Sequence, residues 1–345
     1  MSNKRIGMQT INLPSKPYII GNAAIVGKKE GEGPLGEHFD KVIEDEMNGQ
    51  ESFELAEKSL YLEAIDTCLQ KAGIQADSIQ FLLGGDLLNQ IITASYAARD
   101  LAVPFIGLYG ACSTMSESLG LGSMLVDGGH ASHVLCAASS HFCTAERQYR
   151  FPLEFGSQRT PTAQWTVTGA GATLISSAPG RHPLARVVQI SFGRVVDLGI
   201  KDANNMGAAM APAAADTLCA LFRDTKTTAK DYDLILTGDL GKVGHDLLLK
   251  LMQEHGMPLD DQHYTDCGLE IFDRESQDMH AGGSGCGCSA AVFNGFYLPL
   301  MAQGKYRRLV LMATGALMSP TSSQQGESIP SIAHAIVLET PKEGA

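Results

Sequence analysis

Apolar and polar positions along this chain form short apolar runs and amphipathic stretches, which predict strands and helices in alternation. From Ser52 to Ala72 the apolar residues recur near helical spacing, and Gly73 follows as a stop signal. The run IQFLLGGDL after it predicts a strand. Before about residue 50 the pattern predicts loops, and KKEGEGPLGEHFD reads as an exposed crossing segment because it is charged and rich in glycine.

The second half of the chain repeats the order of elements found in the first. Residues 213–225 predict a helix and residues 232–240 a strand, and the tripeptide Gly-Asp-Leu ends this strand as it ends the first. The stretches GATLISS and HAIVLET then predict a closing strand for each half. Strands that alternate with helices favour α/β layers, so we expect two duplicated halves, residues 1–178 and 179–345.

A second repeat surrounds two cysteines. Cys112 in YGACSTMSES corresponds to Cys288 in GCGCSAA, and the strands predicted to begin at Val134 and Val310 follow them at equal distances. Cys112 also comes just after the strand-like VPFIGLYGA and just before a helical pattern. A helix N-terminus lowers the pKa of a thiol, so Cys112 is a candidate nucleophile, although a buried core cysteine fits the sequence equally well.

The first half carries an additional segment, at about residues 142–166, that is too long for a simple connection. Its arginines, Arg147, Arg150 and Arg159, outnumber the glutamates Glu146 and Glu154. A segment of this length predicts a cap or interface loop over a site. Its guanidinium groups are suited to recognising a carboxylate there.

Composition narrows the class of protein. Apolar residues make up 44% of the chain, which is typical of a compact globular protein, and the net charge of −12 argues against a nucleic-acid partner. Residues 28–63 hold eleven acidic residues against four lysines, which predicts a solvated acidic face. The eight cysteines include no CxxC pair, so no metal site is expected. Neither a signal peptide nor a spanning segment is visible, so we expect synthesis in the cytoplasm, with docking on a membrane complex left open.

Further polar residues fall where ligand sites are expected. His141 follows Ser139 and Ser140 at the predicted end of a strand, where open α/β sheets form ligand crevices. Gln164 and Thr168 flank the only tryptophan, Trp165, before a closing strand. Each of these residues is also compatible with an ordinary packing or turn-stabilising role.

A duplicated α/β chain in which GACST opens a central helix resembles the thiolase and 3-oxoacyl-synthase fold. This resemblance implies a five-layered αβαβα sandwich. The long runs YGACSTM, ASSHFCTAERQYRFPLEFGSQRTPTAQWTVTGAGA and HAGGSGCGCSA resemble, more specifically, the stage V sporulation protein AD family of spore-forming bacteria.

In the synthases of this fold the cysteine works with a histidine and an asparagine from the second half. The resemblance places Gly238 or Asp239 at the first position and Gly287 at the second, so both partners are missing. Without a base or an oxyanion donor, covalent catalysis loses several orders of magnitude in rate. An alternative is an active acyl-CoA or acyl-carrier-protein condensing enzyme in which His280 is the base for Cys112.

The sporulation resemblance implies a non-catalytic protein that binds dipicolinic acid (pyridine-2,6-dicarboxylate), with or without calcium, and takes part in its uptake into the developing spore. It also implies a homodimer, no cofactor, other stage V sporulation A membrane proteins as partners, and a peripheral position on the spore inner membrane. A purely structural subunit with an empty cleft is the third possibility. The ligand-binding residues expected on this basis are Cys112, Ser140, His141, Gln164, Thr168, His280 and Ser284.

Overall fold

The computed structural model describes residues 4–149 and 159–341. The strands of the first half are β1 Thr10–Asn12, β2 Tyr18–Val26, β3 Lys41–Val42, β4 Phe81–Gly85, β5 Phe105–Gly107, β6 His133–Ser140, β7 Trp165–Thr166 and β8 Gly169–Ser176. The strands of the second half are β9 Ala185–Phe192, β10 Leu234–Thr237, β11 Tyr264–Asp266, β12 Gly283–Ser284, β13 Arg308–Ala316 and β14 Ser331–Glu339.

Helices connect most of these strands. Those of the first half are α1 Lys28–Gly31, α2 Phe53–Ala72, α3 Ile92–Leu101, α4 Thr114–Asp127 and α5 Phe142–Tyr149. Those of the second half are α6 Met206–Thr225, α7 Gly241–Glu254, α8 Cys267–Glu270, α9 Cys286–Val292, α10 Leu298–Ala302 and α11 Pro320–Gln324. A π-helical turn, Phe293–Tyr297, joins α9 to α10.

The two halves share one strand order. It is β2-β8-β6-β4-β5 in the first half and β9-β14-β13-β10-β11 in the second. In both halves the last three strands are parallel, and the two strands before them pair antiparallel. The halves meet where Tyr18 and Ile19 of β2 pair with Arg186 and Ala185 of β9. The duplication predicted from the sequence is therefore confirmed in the topology.

Five layers follow from the packing of the helices. Helices α2 and α3 cover the outer face of the first-half sheet, and α6 and α7 cover the outer face of the second. Helix α4 contacts strands of both sheets, and α9 packs beside it against β8 and β6. The central layer thus consists of α4, which follows Cys112, and α9, which contains Cys288. This is the thiolase-like αβαβα sandwich expected from the sequence.

Most predicted elements are confirmed. Helix α2 is capped at its start by the Ser52 hydroxyl, which accepts the Leu55 N–H at 3.3 Å, and ends at Gly73 in the left-handed conformation with φ +68°. The helix predicted over 213–225 begins earlier, at Met206. Its first two turns were missed because they are rich in alanine and show no apolar stripe at helical spacing.

The prediction that the chain before residue 50 is loop-like was wrong. Strand β2 lies there, buried along almost its whole length, at the junction of the two halves between β8 and β9. A strand buried on both faces shows no alternation, and the Gly-Asn pair within it mimicked a turn. The segment KKEGEGPLGEHFD is not fully exposed either, since Glu30, Leu35 and Phe39 are buried.

The described residues hold no helix long and apolar enough to cross a membrane. They also hold no cluster of three or more histidine, cysteine or acidic side chains arranged to bind a metal ion.

Candidate functional site

A cavity opens above Cys112 where the two halves meet, with about 430 Å³ of space unfilled by protein atoms, part of it open to solvent. The lining is mostly apolar, with hydroxyl and thiol groups at a few points, and consists of Leu87, Ala111, Cys112, Ala145, Tyr149, Thr166, Met206, Ser284, Ala316 and Met318.

Cys112 occupies a tight turn before α4. The turn is a 3₁₀ helix, Ala111–Ser113, and Ala111 takes the left-handed conformation with φ +50°, which is unfavourable for any residue with a Cβ. Gly315 of β13 approaches so closely that a Cβ there would lie 2.3 Å from the Gly110 carbonyl oxygen. Packing against the second half therefore maintains a strained turn that presents the thiol to the cavity.

Asp239 lies directly behind this turn, fully buried, two residues after β10. Its Oδ2 accepts the Gly285 N–H at 2.9 Å and the Ser284 hydroxyl at 3.2 Å, and its Oδ1 accepts the Thr314 hydroxyl at 3.1 Å. The Cys112 thiol lies close enough to this carboxyl group for each to shift the pKa of the other. Burial raises the pKa of Asp239 to about 6, while these donors act in the opposite direction.

The pKa of Cys112 is raised well above its ordinary value. Burial is the largest cause, and the neighbouring Asp239 charge is the second. A thiolate beside a buried carboxylate would place two negative charges together at low dielectric. Cys112 is therefore a neutral thiol at neutral pH, although the start of a helix usually favours a thiolate.

Gly287, where the resemblance predicted a missing asparagine, leaves no room for a side chain. At Gly287 a Cβ would lie 2.4 Å from the Gly169 carbonyl oxygen and 2.6 Å from the Ser140 hydroxyl oxygen. The Gly287 N–H donates to that hydroxyl at 3.1 Å, and the hydroxyl donates to the Val167 carbonyl at 2.7 Å. Glycine is thus required by the close contact of α9 with the first-half sheet.

Two of the seven predicted site residues, Cys112 and Ser284, line the cavity, and three others lie behind its wall. Ser140 is committed to the bonds just described. Gln164 donates its amide to the carbonyl oxygens of Asp239 and Gly283, at 2.8 and 2.7 Å, and the Thr168 hydroxyl accepts the Phe142 N–H at 3.1 Å. These three side chains hold backbone segments together.

The two histidines do not reach the cavity lining. His141 is buried, with Nδ1 accepting the Cys143 N–H at 3.2 Å and Nε2 donating to the Glu46 carbonyl at 2.9 Å, and burial lowers its pKa. The ring of His280 bonds instead to the Thr160 carbonyl and the Asp278 carboxylate, at 2.8 and 3.0 Å.

The cap segment begins as helix α5, which contributes Ala145 and Tyr149 to the lining. Arg147 pairs with Glu54, away from the cavity, and Arg159 donates to the Asp278 carbonyl at 3.0 Å. Arg150 and Glu154 fall outside the described residues.

Asp239, Thr166 and the apolar lining are parts of the site that the sequence pattern did not predict. For Asp239 a signal was present, since it follows the strand LILT at the carboxyl end of a parallel sheet, where polar residues converge on ligand sites. The apolar lining comes from five separate segments, and no local pattern marks it.

The fold and the cysteine turn define the class of protein. The chain is similar to a 3-oxoacyl-[acyl-carrier-protein] synthase III from Aquifex aeolicus, with a TM-score of 0.57 and 12% identity over 94% of this chain and 99% of that one. It is also similar to human mitochondrial 3-ketoacyl-CoA thiolase in complex with CoA, with a TM-score of 0.56 and 13% identity over 96% and 99% of the two chains. At such identities the likeness shows a thiolase-type fold and nothing about activity.

Closer sequence similarity then gives the family. The sequence profile of stage V sporulation protein AD (SpoVAD) matches residues 7–339. Stage V sporulation protein AD of Bacillus subtilis (strain 168) is 47% identical over 336 residues, which cover 97% of this chain and 98% of that protein. The chain belongs to the stage V sporulation protein AD family.

Replacing Asp239 tests its control of the thiol. In Asp239→Asn the adjacent charge is gone, so the pKa of Cys112 falls and its alkylation by iodoacetamide at pH 7.5 accelerates, by about tenfold for each pKa unit recovered. Mass spectrometry of the Cys112 peptide over time measures the rate. Asp261→Asn, on an exposed loop, is the matched control, and equal rates in both variants would contradict the role given to Asp239.

Two further buried carboxyls make stability depend on pH. Burial raises the pKa of Glu30 and of Glu57 from 4.5 to about 8. Glu30 accepts the Thr168 N–H at 2.9 Å, and Glu57 accepts the hydroxyls of Ser139 and Thr144 at 2.9 and 2.8 Å. The folded protein therefore binds these protons more tightly than the unfolded chain does.

These two carboxyls contribute most to the free energy of unfolding below about pH 4.5, where they are protonated in both the folded and the unfolded chain. It should fall as the pH rises to 8, by about 1.4 kcal/mol per pH unit for each carboxyl. Urea denaturation between pH 5 and 9 measures the slope. Glu30→Gln removes one titrating group and should make the slope shallower, so an unchanged slope would refute the assignment.

Proposed function

We propose that this protein binds dipicolinic acid, free or as its calcium chelate, in the cavity above Cys112 and takes part in uptake of the compound into the developing spore. Membership of the stage V sporulation protein AD family supports the link with sporulation. The proposal concerns binding, because the cavity has the position of a condensing-enzyme site but different chemistry.

The observation that carries this proposal is the pairing of Cys112 with Asp239. A condensing enzyme needs a thiolate and a neighbouring group that accepts or donates a proton in the transition state. Here the neighbour is a carboxyl group that raises the pKa of the thiol, and His280, the alternative base, is bonded elsewhere. Nucleophilic attack by Cys112 is disfavoured, whereas its position in the cavity wall is retained.

The lining suits a small flat molecule with polar ends. Ala145 and Met318 offer apolar surface to a ring, and the hydroxyl oxygens of Thr166 and Ser284 can offer lone pairs to a bound cation, because their protons are donated to Glu146 and Asp239. The Thr166 hydroxyl donates to the Glu146 carboxylate at 3.1 Å, and the Ser284 hydroxyl donates to Asp239. Each hydroxyl therefore has a carboxyl group next to it, on the side away from the cavity. Such surroundings favour the neutral calcium chelate over the free dianion.

Calorimetric titration with dipicolinate, with and without calcium, tests the proposal. We expect tighter binding with calcium and much weaker binding of the monocarboxylate picolinate. Cys112→Ser should bind as the wild type does, since no nucleophile is needed, whereas the larger side chain in Cys112→Leu should abolish binding by filling the cavity. Thr166→Val should weaken binding about tenfold through loss of one hydroxyl.

Thr162→Val is the matched control on the same segment, because Thr162 does not line the cavity. Normal affinity in Cys112→Leu would show that the ligand binds elsewhere. Absence of any dicarboxylate binding by the wild type would favour a purely structural subunit. Acyl-CoA that forms an adduct on Cys112 and then turns over would establish a condensing enzyme instead.

We also propose that the protein is a homodimer, peripheral on the spore inner membrane, with other stage V sporulation A membrane proteins as partners. Strand β5 is the edge of the first-half sheet and pairs on one side only, with β4. Ile106 on this edge is 38% exposed and Tyr109 just beyond it 51% exposed. An unprotected apolar edge favours strand pairing with a second copy.

A charge on this edge should separate the subunits. Ile106→Asp is expected to sediment as a monomer at micromolar concentration, where the wild type sediments as a dimer. Val195→Asp alters another exposed apolar residue, in the second half, and should leave the dimer intact. A wild type that is monomeric, or an Ile106→Asp variant that stays dimeric, would contradict pairing through β5.

A further inference from the structure

A second cavity, distant from the Cys112 site, is a wide groove on the first half. It lies between the end of α2, the start of β6 and the 177–184 loop that connects the halves, and holds about 1290 Å³ of space unfilled by protein, including solvent at its open side. Its lining comprises Ile20, Gly21, Asn22, Gln70, Lys71, Ala72, Gly73, Ile74, His133, Ser176, Ala178, Gly180, Arg181, His182 and Leu184.

The groove is basic although the whole chain carries a net charge of −12. No aspartate or glutamate lines it. Lys71 is neutralised by Asp40, whose two carboxylate oxygens lie 2.9 and 3.2 Å from its Nζ. In contrast, the side chains of His133, Arg181 and His182 form no ion pair or hydrogen bond within the described ranges, and Arg181 and His182 are exposed.

The position of the groove relative to the Cys112 cavity is set by strand β6. His133, at the first residue of β6, lines the groove, whereas Ser140, at the last, lies behind the cavity wall. A strand of this length spans roughly 23 Å. The groove and the cavity therefore lie at opposite ends of the strands of the same sheet. A membrane surface bound at the groove leaves the cavity free.

We propose that this groove binds the phosphate groups of anionic phospholipids, so that the edge of the protein opposite the Cys112 cavity docks on a membrane surface. The proposal rests on the peripheral membrane position proposed above and adds the face that makes the contact. A guanidinium group binds phosphate through paired hydrogen bonds, and the imidazoles of His133 and His182 add donors beside it. Ile20 and Ile74 supply apolar surface for the glycerol and upper acyl region.

Co-sedimentation of the full chain with vesicles tests this assignment. Vesicles of equal parts phosphatidylglycerol and phosphatidylcholine should sediment the protein at 50 mM salt, and vesicles of phosphatidylcholine alone should not. The double variant Arg181→Gln, His182→Gln should bind the anionic vesicles at least about fivefold more weakly, the effect of one cationic residue near an anionic surface. Raising the salt concentration should weaken wild-type binding through screening.

Lys250→Gln is the matched control, since it removes one positive charge from an exposed position on helix α7. Equal binding by Lys250→Gln and the double variant would overturn the proposal, as would failure of the wild type to bind anionic vesicles. Inorganic phosphate that binds the groove in calorimetry while vesicles do not would assign it to a free anion instead.

The same calorimetry separates this inference from the proposed ligand function. The double variant is expected to keep wild-type affinity for dipicolinate, because neither residue lies near the Cys112 cavity. Loss of vesicle binding with normal dipicolinate affinity supports the groove as the membrane contact. Loss of both in the double variant would show a general folding defect and overturn the assignment.

Discussion

The hydrogen bonds to the Asp239 carboxyl group are the interaction on which the rest of the site depends. They join the end of β10 to β13 and to the start of α9, and the same carboxyl group lies close to the Cys112 thiol of the first half. Asp239 is held in turn by Asp266, whose Oδ2 accepts the Leu240 N–H at 2.8 Å and whose Oδ1 accepts the Gly241 N–H at 2.9 Å. One buried carboxyl therefore holds the elements behind the cavity together and, after burial itself, is the second cause of the raised pKa of Cys112.

Duplication explains how such a site arises at the centre of the molecule. Each half contributes a sheet of the same strand order, and the helix that follows Cys112 packs between the sheets against the helix that contains Cys288. The close contacts at Gly287 and Gly315 let these central elements approach to backbone distance. The central packing of the fold is thus kept, with Asp239 and Gly287 at the two positions opposite Cys112.

Local patterns predicted much of the fold and less of the site. Helix α2 was recognisable because its apolar spacing, serine cap and terminal glycine are all local signals. Strand β2 was missed because a strand buried on both faces lacks alternation. Cys112 and Ser284 were predicted to line the site and do so, whereas His141 and His280 were selected for their chemistry and form hydrogen bonds elsewhere.

The sequence by itself determined the duplicated α/β architecture, the family and the position of Cys112 before a central helix, because repeats, motifs and periodicity are written along the chain. Only the tertiary structure decided that the neighbour of the thiol is a carboxyl group and that an asparagine cannot fit at Gly287. It also brought His133, Arg181 and His182 into one groove. These properties depend on distances between segments far apart in sequence, and on the low dielectric of a buried interface, neither of which a local pattern encodes.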